Sequence, residues 1–416
     1  MNREQTSHHV QELSLSVVQA RVNSIRKKDI LRTGLRVYRD GKIGVAGAIG
    51  SCDEGELTQR AIAALELGIP YPCALAAGRK DTVEPPYDLP QGALFVDEMQ
   101  HMLAELAQAQ PGFSFSNKIN LRTQDIRLAN DLGLDLNYRS TSIEVALLIK
   151  DKSSANILDA FAGYEGWRYE HAEFLRLCNM ICDAYNRRLE IDEGTYPVLF
   201  FSGDGAYRSK LVESLHGQLY ATGGSLLSGK IGQRLFAPGF AVHESRNWRD
   251  EVIGPFFDAE GTVNDDHRCT LIRDGVLVAV RTDKKTAARF DLPLTGSSGG
   301  DYDSVPALGH PNLGFANTQI ESTGKTMKEL LDGRQGILVY IASGGDFTSE
   351  GHFATPVQLA YLFDGETLLG RLPELNVSSH LYDMFGQDFI GVSTDSLTSL
   401  SKLDLIAMNM KVTKAV

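Results

Sequence analysis

The chain has 416 residues, room for roughly two or three domains, and its 43% hydrophobic and 23% charged residues are the balance of a globular protein. A net charge of −12 repels phosphate backbones and disfavours nucleic acid as a partner. No apolar run approaches the ~18 residues of a membrane helix, and five scattered cysteines suggest no disulfide framework, so a reduced cytoplasmic protein is expected.

Residues 5–27 place Val10, Leu13, Val17, Val18, Val22 and Ile25 on one helical stripe. This predicts a helix ending at Arg26-Lys27-Lys28, where cations suit the dipole. A hairpin should follow, with 35–38 and 42–45 flanking the favoured turn pair Asp40-Gly41. Ser51 and Glu54 fit a capping box, and the helix they open should end near Gly68, with Pro70 beyond. Val96, Met99, Leu103 and Leu106 predict a helix over 95–107, and the apolar run 143–149 predicts a strand. A long helical pattern covers about 156–189, and Cys178 and Cys182 on it are expected to be core thiols.

The character changes at Asp192-Glu193-Gly194. Residues 198–201 predict a strand and 205–220 a helix, after which strands and turns dominate. Two further Asp-Gly hairpins are expected, at Asp274-Gly275 and Asp364-Gly365. Helical patterns return only at 326–332 and weakly at 378–386. The expected fold class is α+β: an N-terminal α/β domain over 1–192, then a β-rich, mainly antiparallel domain over 193–416.

The residues that carry chemistry are sparse. The only His-Glu pair, His243-Glu244, is followed by Ser245, Arg246, Asn247 and Trp248. No second histidine arrives one helical turn on, so a zinc site with two imidazoles on one helix face is not supplied. Ser297-Ser298-Gly299-Gly300 suits a flexible turn. Gly344-Gly345-Asp346-Phe347 is balanced between turn and cleft, because a paired glycine admits close backbone approach and an acid and an aromatic follow. Asp258 and Glu260 lie two apart, and turn chemistry is the favoured account of them. His216, near Glu213, has no local catalytic partner, and His310 precedes Pro311 in a loop.

Several segments, in order, resemble the TldD/TldE (PmbA) zinc peptidase family, and specifically its TldE-like branch. They are Ser228-Gly229-Lys230-Ile231-Gly232-Gln233, Phe257-Asp258-Ala259-Glu260-Gly261, Ile272-Arg273-Asp274-Gly275-Val276-Leu277 with Thr295-Gly296, Gly345-Asp346-Phe347-Thr348, and Asp364-Gly365-Glu366 running on to Asp383-Met384. Gly34-Leu35-Arg36-Val37 to Asp40-Gly41-Lys42-Ile43-Gly44 is similar to the family's opening.

In that family the TldD-type subunit carries HExxxH on a helix and a distal cysteine as zinc ligands. The corresponding helix here reads Leu211-Val212-Glu213-Ser214-Leu215-His216-Gly217, with Glu213 at the family's glutamate and both histidine positions lost. The stretch Asp383-Met384-Phe385-Gly386-Gln387-Asp388 has no cysteine. The resemblance therefore implies no catalytic residue, metal or cofactor in this chain, with zinc in a TldD-like partner. It implies a subunit, in a heterodimer or a homodimer, that shapes a cleft for unfolded peptides. Gly344, Gly345, Asp346, Phe347, Glu213 and His216 are the candidates to line that cleft or meet the partner. The alternative is a stand-alone homodimeric peptide-binding or regulatory protein, bearing the family's label as a gyrase modulator, without protease activity.

Overall fold

In the computed structural model, which describes residues 1–299, 312–314, 317–400 and 404–415, the chain opens on strands rather than a helix. Gly300 and the His310-Pro311 pair lie outside the described residues. Strands β1 (Asn2–Val18) and β2 (Arg21–Arg39) pair antiparallel from Asn2↔Tyr38 to Val18↔Arg21. The inward face of β1 begins Glu4, Thr6, His8, Val10, Glu12. Burial alternates with period two, but polar side chains occupy most of those buried positions. The hydropathy signal of a strand is thereby erased, and a spurious helical stripe is left. Arg26-Lys27-Lys28 falls on the exposed part of β2, where Lys28 pairs with Glu12, and not at a helix end.

The turn Asp40-Gly41 has φ of 53° and 69°, the double left-handed conformation of a tight hairpin, and leads into β3 (Lys42–Ile49). Helix α1 (Glu54–Ala64) is capped by Asp53, whose carboxylate accepts from Glu56 N at 2.7 Å, so Ser51 is not the cap. A last turn ends at Gly68 with φ 69°, as expected. There follow β4 (Lys80–Val83), α2 (Ala93–Ala109), β5 (Phe113–Asn130) and β6 (Asp135–Asp151), the last more than twice as long as the apolar run that marked it. The helix expected over 156–189 divides into β7 (Ala160–Gly166) and α3 (His171–Asn186). The sheet runs β3-β2-β1-β5-β6-β4, with β7 added on β6.

The second half opens on β8 (Gly194–Phe201). The helix expected over 205–220 is two short ones, α4 (Ser209–Ser214) and α5 (Gly217–Ala221). A small sheet holds β9 (Val242–Ser245), β10 (Arg268–Arg273) and β11 (Val276–Leu277), and after α6 (Lys284–Phe290) and the pair β12 (Ser298–Gly299) and β13 (Asn312–Leu313) it is completed by β14 (Thr318–Ile320). Helix α7 (Met327–Leu331) carries a capping box from Thr326 and Glu329. The large sheet then adds β15 (Gly336–Ala342), β16 (Asp346–Phe347), β17 (His352–Phe363), β18 (Leu368–Arg371) and β19 (Leu375–His380), and after the short α8 (Leu381–Met384) also β20 (Phe389–Val392) and β21 (Leu405–Lys414). The Asp274-Gly275 turn has φ of 48° and 76°. The third expected hairpin closes through a four-residue loop, in which Asp364 accepts from the N–H groups of Glu366 and Thr367.

The large sheet is the middle layer of the molecule. Leu199, Leu338, Tyr340, Leu405 and Ala407 face one way and share a core with Phe95, Met99 and Leu103 of α2 and Phe174, Leu177, Cys178, Ile181 and Cys182 of α3. Val198, Phe200, Ile337, Val339, Ile406 and Met408 face the other way, onto Tyr207, Leu211, Leu215 and Phe240. Strands covered on both faces read as continuous apolar runs, which is why 198–201 and 337–341 lack alternation. Each fully buried large side chain contributes about 1.5–3 kcal/mol. The fold is α+β, β-rich and mostly antiparallel, and no described helix is long and apolar enough to cross a membrane.

Candidate functional site

The segment expected to be the family's motif helix is interrupted. His216 adopts extended backbone, φ −74° and ψ 116°, between α4 and α5. Arg281 clamps this break from both sides: its N–H donates to Leu215 O at 2.7 Å, and its carbonyl accepts from Gly217 N at 2.9 Å. The approach leaves no space at Gly217, where a Cβ would lie 2.5 Å from Arg281 O and 2.9 Å from Thr282 Cγ2. Val212 is buried. Glu213 points to the surface and pairs with Lys210 at 2.9 Å. His216 Nδ1 is buried with no hydrogen-bond partner among the described residues, and burial with the charge of Arg281 holds the imidazole below its ordinary pKa.

Behind the break lies a buried polar layer. Glu244, on β9, is 1% exposed, and its carboxylate lies 3.5 Å from Arg281 Nε without a hydrogen bond to either oxygen among the described residues. Burial pushes the Glu244 carboxyl up and the Arg281 guanidinium down, each disfavouring its charged form. Asp258 is fully buried and accepts from Glu260 N, Thr262 N and Ser298 N at 2.8–3.0 Å. The turn chemistry expected of Asp258 is therefore present, although burial still pushes its carboxyl up. Glu260 accepts from Tyr71 Oη at 2.6 Å and Lys284 N at 2.9 Å, and burial pushes it up to about 7.

This turn joins the two halves. Arg36 of β2 donates to both Ala259 O and Glu4, and Lys284 Nζ donates to Ala74 O at 2.9 Å. Sequence reasoning missed Tyr71, Arg36 and Ala74 because they stand 189, 223 and 210 residues from their partners. The available signal was two carboxylates directly after Phe256-Phe257, both buried.

The Gly344-Gly345-Asp346-Phe347 loop forms a short hairpin on β17. Gly344 has φ 87°, and a Cβ at Gly345 would meet Thr355 Cβ at 2.2 Å, so strand pairing requires both glycines. Asp346 is exposed, and half-buried Phe347 lies 4.8 Å, ring to ring, from Phe353. Among the described residues no hydrogen bond, ion pair or ring contact joins this loop to Glu213 or His216. His243 bonds Glu321 and Thr270, and Cys269 stands opposite Glu244 in the β9–β10 register. Elsewhere a cleft of about 400 Å³ opens between the halves, walled by Tyr87, Tyr164, Trp167, Trp248 and Arg249. Its aromatic walls suit apolar side chains of an extended chain.

Residues 193–412 match the sequence model of the PmbA/TldA metallopeptidase C-terminal domain. No curated protein matches the chain. Among solved structures, TldE from Thermococcus kodakarensis is similar with a TM-score of 0.77 and 16% identity, covering 99% of this chain and 96% of that one. A proposed modulator of a DNA gyrase from Thermotoga maritima has a TM-score of 0.76 and 15% identity, covering 99% and 96%. A proposed modulator of DNA gyrase from Bacteroides thetaiotaomicron has 0.75 and 15%, covering 100% and 95%. At such identities the likeness is one of fold.

Proposed function

This chain belongs to the PmbA/TldD metallopeptidase family, whose C-terminal domain it matches over more than half its length, and from that premise we propose that it is a non-catalytic, TldE-like subunit of a zinc peptidase complex. One observation carries the proposal. With Glu213 at the motif's glutamate, HExxxH spacing puts the two histidines at Val212 and Gly217. The first position is buried, and the second is closed by the Arg281 carbonyl, 2.5 Å from where a Cβ would stand. An imidazole at Gly217 would have to displace the whole 281–286 segment. Zinc, and the water it activates, then belong to a TldD-like partner. The role of this chain is to wall the peptide cleft, excluding folded proteins while admitting an extended chain. Two of the structural relatives are described as proposed gyrase modulators, but a net charge of −12 disfavours DNA as a partner of this chain.

The test is co-expression with a TldD-like protein from the same genome, then size-exclusion chromatography and a peptide-cleavage assay. Co-elution is expected, with cleavage only in the complex. Chelator-sensitive cleavage by this chain alone would refute the assignment.

A further inference from the structure

A second set of ligand-type side chains lies away from this layer, where α2 meets the first turn of α3. Glu98, His101 and Glu105 stand at i, i+3 and i+7, one face of α2. His171, the first residue of α3, reaches between them: its Nδ1 is 2.7 Å from Glu98 and its Nε2 is 3.1 Å from Glu105. His101 Nε2 is 3.0 Å from the other oxygen of Glu105, and the two imidazole rings are 5.1 Å apart. One ligand atom each from Glu98, His101 and His171 fall within 4.8 Å of one another, which no other group of three or more such residues does among those described.

We propose that Glu98, His101 and His171 form a divalent-metal site of the zinc class, with Glu105 as its supporting carboxylate. Two imidazoles and one carboxylate are the donor set that zinc prefers, and three protein ligands leave the fourth position to water. Glu105 accepts from the outer nitrogen of His171, the arrangement that fixes the tautomer and orientation of a ligating histidine. A tetrahedral ion with bonds of about 2.0–2.1 Å holds its ligands about 3.4 Å apart. Closing from the observed spread asks about 1 Å of side-chain rotation, and His101, 66% exposed, is free to give it. The ion takes the place of the proton on His171 Nδ1, while the Nε2 N–H goes on donating to Glu105. The ion would join two helices that are far apart in sequence, so it acts as a clamp on the N-terminal layer. It is separate from the zinc assigned above to a partner, and does not rest on that assignment.

The test uses the full chain alone, free of any metal-binding tag and stripped with chelator. Titration with zinc chloride, followed by calorimetry, is expected to saturate at one zinc per chain and to raise the melting temperature. Cobalt(II) should give the visible spectrum of a tetrahedral ion. His101→Ala and His171→Ala should each weaken binding by about tenfold or more, and the double variant should abolish both the heat and the thermal shift. His101 is exposed, so its variant tests the site without threatening the fold. No binding up to about 1 mM zinc, or undiminished binding by the double variant, would overturn the proposal. The first result leaves an imidazolium held by two carboxylates, and the second places the zinc on other ligands.

Discussion

Tyr71 donates a 2.6 Å hydrogen bond to Glu260 across 189 residues of sequence, and both groups are buried. Burial pushes Glu260 up to about 7, while an unfolded glutamate titrates near 4.5. The folded state therefore holds the proton more tightly. Stability from this group is fully present below about 4.5 and is lost as pH rises through about 7. The loss is about 3 kcal/mol at most. Glu260→Gln imitates the protonated form, with its amide N–H facing the Tyr71 oxygen and its carbonyl accepting from Lys284 N. Melting temperatures at pH 5.5 and pH 8 should show the variant gaining on the wild type at the higher pH. Equal displacement at both values would mean that Glu260 does not titrate in this window.

The closed position at Gly217 makes a second prediction. Gly217→Ala should destabilise the chain by about 1–3 kcal/mol through overpacking against Arg281 O. The double change Val212→His, Gly217→His restores the letters of HExxxH but should add no zinc and no peptidase activity. Metal analysis against the wild type checks it, and one extra zinc in the double variant would show that the 281–286 segment yields.

Phe347 is packed on Phe353 yet only half-buried. Phe347→Ala should cost about 1–2 kcal/mol of stability, less than truncation of a core phenylalanine. If the ring also lines the shared cleft, co-elution with a TldD-like partner or cleavage by the complex should fall by more than that loss explains. A fall in melting temperature with unchanged assembly and turnover would make Phe347 a sheet residue only.

The chain alone should be a homodimer, and a heterodimer in the presence of a TldD-like partner, mainly through the residues after 192. Long antiparallel sheets need cover for their edges, and a stable interface of this kind buries roughly 2,000 Å² or more. Light scattering at micromolar concentration checks this. A monomer unchanged by the partner would remove the complex from the account.

Legibility in the sequence followed locality. The turns at Asp40-Gly41 and Asp274-Gly275 were visible because two adjacent residues impose left-handed backbone. Helix α2 was visible because Met99, Leu103 and Leu106 bury one face. Strand β1 was hidden because Glu4, Thr6, His8 and Glu12 point inward, and their burial is made acceptable by partners such as Arg36, Tyr38 and Arg122 far along the chain. Asp258 announced a turn and formed one. Glu260 gave no local sign of Tyr71, since only the assembled sheets bring the two together.

Strand β21 lies in the middle of the large sheet, with β8 on one side and β19 on the other. It is made long after β8, its partner along one edge. Until residues 405–414 are made, β8 lacks the strand that pairs along one of its edges from Gly194 to Phe201. That edge is thus open to mispairing while the chain between Phe201 and Leu405 is made. A stop codon before residue 405 would remove the strand that stands between β8 and β19, leaving, among the described residues, only the β15–β17 pairing to hold those two sides of the sheet together.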